Sequence, residues 1–400
     1  MTRTSTRRAL TMGELLVCTA VVAILAAALV PVSRSLRDCS GTATSMAKLN
    51  TLSFAHALYG WDWDDRQVTW IPDDAGTVNG GCSQYVSSIG CPPQLLLGWD
   101  EGYVVWGYFL GQGQCSGYPG SCANWVTYQP ITFSTSQAGF GSFRLANAKA
   151  FHDYVNGRFY DEAFYLEEDT LTWQGAEPYF DLAAEFTSFG SEISNSSFCL
   201  SPAAMWHPDV LSLNPDTGLW WKDPTTFAEA YASPTVSQAT YPDLKTRMIE
   251  HNWVCDPPAE SNPAFTGNNT PYFFNSGLDV VPVAMFFDGH VDLLPNTEVA
   301  ADDQKVLGAT GGAVGLWTRD TPFGVAGYYG EQSYDGLFLS HHVLTAGGIT
   351  GRDRLGDTAP AQGAANGRRR HGPKRATPSS AWPGTAQPAP EAPMPRWWTP

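Results

Sequence analysis

Charged side chains are scarce in this chain: Asp, Glu, Lys and Arg make up 16% of its 400 residues. Cations are the scarcer sign, with 23 Lys and Arg against 39 Asp and Glu, for a formal charge of −16. Arg3, Arg7 and Arg8 at the start and a basic stretch after Gly356 hold a large share of them. The middle of the chain therefore carries roughly −23. Nucleic-acid binding needs a basic footprint, and a body this acidic has none, so that class of partner is excluded. Also lacking are a G-x-S-x-G elbow, a phosphate-binding loop with its lysine, and an H-E-x-x-H helix. The commonest signatures of serine hydrolases, nucleotide hydrolases and zinc peptidases are thus missing. Gly311-Gly312-Ala313-Val314-Gly315 does not lie between a strong strand and a strong helix, so it is a weak nucleotide signal. No C-x-x-C pair occurs, which argues against a zinc ribbon.

What the chain has instead is aromatic residues at 13%, with 39 Gly and 29 Pro. That mixture points to a loop-rich fold held by aromatic anchors rather than a helical bundle. At this length, burial of a sizeable core is not limiting. Of eight cysteines, Cys18 falls inside an apolar run. Cys82 with Cys91, Cys115 with Cys122, and Cys199 with Cys255 form two close pairs and one distant pair. In Gly- and Ser-rich surroundings these are candidate disulfides of an oxidising compartment, with the connectivity left open.

The strongest pattern is at the front. Arg7-Arg8-Ala9-Leu10-Thr11-Met12-Gly13-Glu14 precedes the apolar run Leu15 to Val32. The run reaches the length of a membrane span, about 18 residues at ~1.5 Å each. A secretory signal is the competing reading, but an acid before the run and the length of the run weigh against it. The arginines in front predict the N-terminus inside the cytoplasmic membrane and the body outside, in the periplasm or at the cell surface.

Leu10-Thr11-Met12-Gly13-Glu14-Leu15-Leu16-Val17 resembles the start of mature type IV prepilins and type II secretion pseudopilins. Glu14 takes the fifth mature position, where that family has its acid, and Pro31 the twenty-second, where it often has a helix-kinking proline. Ala9 stands where the family usually has Gly before the cut, and Leu10 where it has Phe. The resemblance implies a leader, residues 1–9, removed by a prepilin peptidase between Ala9 and Leu10, with Leu10 N-methylated. It also implies that Glu14 sets register against the N-terminal amine of a sister subunit. A lone carboxylate at the membrane edge is costly unless it finds such a partner. The implied fold is α+β. A long N-terminal helix over 10–60, spanning the membrane at about 15–32, packs on a loop-rich, antiparallel-sheet body over 61–356. Residues 357–400, rich in Pro, Ala, Gly and Arg without periodicity, read as a disordered tail.

Within the helix, Ala43, Ala47, Phe54 and Leu58 recur with helical spacing and predict the face packed on the body. Trp61-Asp62-Trp63-Asp64-Asp65-Arg66 follows, with Asp73 and Asp74 close by. The resemblance allows calcium there, but the spacing lacks the glycine and distal Glu of an EF-hand loop. A helix end running into a solvated loop explains it better. Tyr103 to Phe109 reads as a strand, Phe140 to Phe164 as one helix followed by aromatic turns, and Tyr241 to His251 as a helix start ending in a strand-like apolar pair. Val280 to Leu294 is the clearest hairpin, with Asp288-Gly289 as its turn. Phe287-Asp288-Gly289-His290-Val291 resembles the second half of a C-terminal signature of a pilin-like subfamily; Leu278 stands where that signature has its His. Ser340 to Thr345 and Gly347 to Asp353 resemble the end of large prepilin-like proteins, and Lys245 to His251 points to the same group.

Asp288, His290 and Asp292 alternate along one strand and share a face. With His341 or His342 they are weak candidates for a metal site. Asp288 and Gly289 are better explained as turn residues. Scattered Trp, Tyr and Asp suit a sugar-binding platform, although a loop-rich core needs aromatics equally. The expectation is a structural subunit without catalytic residues or an assigned cofactor. Its implied partners are a prepilin peptidase, sister subunits, an assembly platform and the membrane. The alternative is a membrane-anchored extracytoplasmic enzyme or glycan-binding protein using a pilin-like anchor.

Overall fold

The computed structural model describes residues 41–71, 94–110, 121–123, 128–133, 141–187, 193–250, 280–325, 327–328 and 339–356. Helix α1 occupies residues 41–62 and has apolar residues on both sides. The side that packs holds Leu49, Leu52, Ala55 and Tyr59, with Gly41, Ser45 and His56 between them. Leu49 and Leu52 are fully buried, each stabilising by about 1.5–3 kcal/mol. The predicted face is the opposite one. Ala43 and Ala47 are exposed, Phe54 is 76% exposed and Leu58 57%. Within the described residues the helix is present where expected, from 41 on; the face it packs with is corrected.

Two small sheets follow. In the first, β1 (Gln94–Trp99) pairs antiparallel with β2 (Val105–Leu110), and β2 pairs parallel with β3 (Ser121–Ala123). A bulge between Leu96 and Gly98 lets β1 accommodate the chain at Glu185 and Phe186. A methyl on Gly98 would collide with Glu185 Oε2. The second sheet has the order β4-β5-β6-β7, all antiparallel. Its strands are β4 (Phe198–Leu200), β5 (Thr246–Glu250), β6 (Val283–Phe286) and β7 (Val291–Leu293). The first three are buried throughout, which gives the continuous rather than alternating pattern of a covered sheet. The predicted hairpin is present at its predicted turn.

Between the sheets lies mostly irregular chain. The helix expected after Phe140 is replaced by three short 3-10 turns at Ser142–Arg144, Lys149–Tyr154 and Glu162–Phe164. Phe143, Phe151 and Phe164 point inward from these turns, and Phe159 and Tyr160 from the bends between them, instead of from one helical stripe. Neither is there a helix at Tyr241; a turn leads directly into β5. Further α-helices are α2 (Thr170–Ala176), the four-residue α3 (Pro202–Met205) and α4 (Asn296–Ala309), with more short 3-10 turns between them. Among the described residues no helix is long and apolar enough to cross a membrane; the expected span at 15–32 lies outside them.

Candidate functional site

The Asp-Gly turn is the first of the sequence-predicted positions that the fold explains. Gly289 has φ +91°, a backbone conformation that favours glycine. Asp288 Oδ1 accepts from His290 N at 3.1 Å and lies 2.5 Å from His290 Nδ1, so the acid closes the turn. The carbonyl of Gly289 accepts from Ser53 Oγ of α1 at 2.8 Å. The turn thereby fastens the second sheet to the N-terminal helix. His290 stacks on Phe286, with ring centroids 4.4 Å apart. Arg354 covers the same Phe286 ring, bonds Asp292 Oδ2 at 3.2 Å and approaches His290 Nε2 at 3.5 Å. Arg354 thus joins His290 to Asp292, while Asp288 meets His290 through the other ring nitrogen. His341 and His342 lie elsewhere, fully buried. Among the described residues no group of three or more His, Cys, Asp or Glu is placed to hold a metal ion.

The two C-terminal stretches and the Lys245 stretch meet in the interior. Lys245 Nζ bonds Ser201 Oγ, Thr345 Oγ1 and Asp353 Oδ2, each at 2.9 Å. Asp353 also accepts from Thr246 N at 2.8 Å, His342 N at 2.9 Å and Thr345 Oγ1 at 2.5 Å. Every side chain in this cluster is buried. Burial alone would raise the Asp353 carboxyl. The Lys245 ammonium, with hydrogen bonds from Thr345 and Lys245, instead holds it well below the usual carboxylate range. Burial lowers the Lys245 ammonium, opposed by Asp353. A lysine on a serine can make a nucleophile. Here the Ser201 proton goes to the His342 carbonyl, at 2.5 Å, and no solvent reaches the pair. The cluster joins β4, β5 and the 340–353 segment as a structural tie. The sequence showed its two halves separately; nothing in it linked Lys245 to an acid 108 positions away.

Cys199 is a free thiol at the centre of β4, fully buried, with burial pushing it up to about 12. Cys199 is packed in the covered sheet, 3.9 Å from His342 Nε2, and its candidate partner Cys255 lies outside the described residues. So do Cys82, Cys91 and Cys115, and Cys122 contributes backbone to β3. Ala9, Leu10, Glu14 and Pro31 also lie outside them. In the acidic loop after α1, Asp62 Oδ2 accepts from Tyr154 OH at 3.1 Å and Asp65 Oδ2 from Ser237 N at 2.9 Å. These carboxylates are engaged with protein donors; Asp73 and Asp74 are outside the described residues.

One open cleft, of about 470 Å³, was not anticipated as a site. It is lined by the β1–β2 turn, through Trp99, Asp100, Glu101 and Tyr103, and by Lys149, Arg158 and Glu185. Glu185 Oε2 accepts from Trp99 N at 2.9 Å, and its Oε1 lies 3.3 Å from the buried His152 Nδ1. Lys149 Nζ stands 3.4 Å from the same nitrogen. Nδ1 donates to Glu185 only when it carries a proton and accepts from Lys149 only when it does not. The local signal in the sequence was the run Trp99-Asp100-Glu101-Gly102-Tyr103, two aromatics flanking two acids, which its turn character concealed.

Comparison with family models, with curated proteins and with solved structures finds no match for this chain. The functional reading therefore stands on its own residues.

Proposed function

We propose that the chain is a pilin-like or pseudopilin-like structural subunit. Prepilin peptidase removes residues 1–9 and Leu10 becomes the methylated N-terminus. The segment at about 15–32 holds the protein in the cytoplasmic membrane, with the α+β body outside, for filament assembly or protein secretion. One observation carries the reading. The body is built on the inner face of α1, while the outer face keeps Ala43, Ala47, Phe54, Leu58 and Trp61 exposed. Asn50 and Thr51 interrupt this face, but the exposed Phe54, Leu58 and Trp61 lie together at its end, and large apolar side chains left open on a helix suit packing against sister subunits. The segment with Glu14 and Pro31 precedes that helix in the chain. Fastening the Asp-Gly turn to Ser53 supports the same reading, because a body carried by a helix must be held to it.

The decisive measurement is the mature N-terminus, by mass spectrometry of protein from a host with the peptidase. The expected product begins at N-methylated Leu10. Glu14→Ala should be cleaved normally yet fail to enter assemblies. A mature N-terminus far from Leu10, or normal incorporation of Glu14→Ala, would overturn the proposal.

A further inference from the structure

The cleft beside the β1–β2 turn has a use that subunit assembly does not require. Tyr103 sits at φ +59°, in the left-handed region that glycine occupies most cheaply, and is 87% exposed. The turn is closed around it. Tyr103 N donates to Asp100 O at 3.0 Å, while Asp100 Oδ1 accepts from Gly102 N at 2.8 Å and Val104 N at 2.9 Å. The fold thus holds a large aromatic residue in a costly conformation, with most of its surface in water. The three-residue hairpin loop needs a left-handed residue here, but glycine would supply it more cheaply, and packing does not call for the ring.

The rest of the lining narrows what the ring would meet. Trp99 supplies a second aromatic, half-buried. Glu185 is preset by Trp99 N and His152, and the bulge at Gly98 gives it room. Both kinds of hydrogen-bonding group are present, with Asp100, Glu101 and Glu185 opposite Lys149 and Arg158. Anion binding is disfavoured. Both Arg158 Nη atoms are spent on backbone carbonyls, of Phe180 for Nη1 and of Tyr179 and Leu182 for Nη2. Acids also outnumber cations on the wall. Two aromatic faces, mixed donors and acceptors, and no free guanidinium fit a ligand with apolar C–H faces and many hydroxyls.

We infer that this cleft binds a neutral oligosaccharide, with Tyr103 and Trp99 stacking on sugar rings and Glu185 and Glu101 accepting from hydroxyls. The body would then bind a glycan in addition to its place in an assembly.

The test uses the full chain in detergent, titrated by calorimetry with three neutral hexasaccharides built from glucose, mannose and N-acetylglucosamine. At least one should bind with a millimolar or tighter Kd and alter tryptophan fluorescence. Tyr103→Gly removes the ring while suiting the backbone. It should lose at least about tenfold in affinity without melting at a lower temperature. Tyr103→Phe should keep most of the affinity. Binding to none of the three sugars, or equal affinity in Tyr103→Gly, would refute the assignment. So would binding of a hexa-arginine peptide in place of every sugar, which would make the cleft an acidic-wall site for cationic peptides. None of these results touches the assembly proposal, because Tyr103→Gly leaves Leu10, Glu14 and α1 unaltered.

Discussion

Lys245 shows how a single residue acquires its role from its surroundings. A buried ion pair is a weak net contributor to stability, since desolvation offsets attraction; breaking one partner is another matter. Lys245→Met leaves the Asp353 carboxylate buried without its counter-charge, and should cost about 3–5 kcal/mol in urea unfolding. Adding Asp353→Leu removes the stranded charge, so the double variant should be less destabilised than the sum of the singles. Full additivity would mean that the two groups are not energetically coupled, contrary to their 2.9 Å contact. Cys199 makes the complementary point. Its cysteine identity pointed to a disulfide, whereas its position at the centre of a covered strand makes it a small apolar core residue.

At the scale of elements, α1 is where pattern and packing disagree most usefully. Both of its sides carry apolar residues at helical spacing, so periodicity established a helix without choosing its inner face. The chosen face combines small residues, Gly41, Ser45 and Ala55, with Leu49, Leu52 and Tyr59, which lets the helix sit close to the body. The two faces should respond differently to substitution. Leu52→Ala should cost about 2–5 kcal/mol by thermal or urea unfolding. Phe54→Ser with Leu58→Ser should change monomer stability by less than about 0.5 kcal/mol per site. Under the assembly proposal the outer pair should nevertheless abolish incorporation into assemblies, measured by crosslinking in the membrane. Helix α4 escaped prediction for a related reason. Its buried residues are Asn296, Val299, Asp302 and Asp303, so it carries almost no apolar stripe. Tertiary hydrogen bonds hold it instead: Asp303 binds Leu316 N and Arg319, and Asp302 binds Leu355 N. The aromatic stretch after Phe140 errs in the opposite direction. Its apolar residues suited a helix, yet short turns bring Phe143, Phe151 and Phe164 inward without one.

For the whole molecule, acid should be a destabilising condition with a defined window. His341 is fully buried, and burial lowers it from its ordinary value to about 4, with Lys245 adding to the effect and Asp353 opposing it. His56 is held well below its ordinary value by burial and by Arg247. A histidine whose folded pKa is depressed is neutral in the native state and takes up its proton more readily when unfolded. Stability is therefore lost as pH falls below about 6.5, and the loss attributable to His341 is complete near pH 4, at about 3 kcal/mol. The Asp353 carboxyl is depressed, so its contribution persists above the unfolded carboxylate value and fades only at lower pH. Melting temperature should thus drop between about pH 6.5 and 4, and His341→Asn should flatten that slope. A flat profile through this window would contradict the buried, neutral assignment. The sequence by itself determined the α1 helix and the Asp288-Gly289 hairpin, because each rests on neighbouring residues: helical period for the one, turn chemistry between strand-length apolar runs for the other. Tertiary structure alone decided which face of α1 is buried, that Cys199 packs in a covered sheet, that Lys245 meets Asp353, and that Trp99, Tyr103, Lys149 and Glu185 share one cleft. Those outcomes depend on which distant segments pack together, and local residue patterns carry no such information.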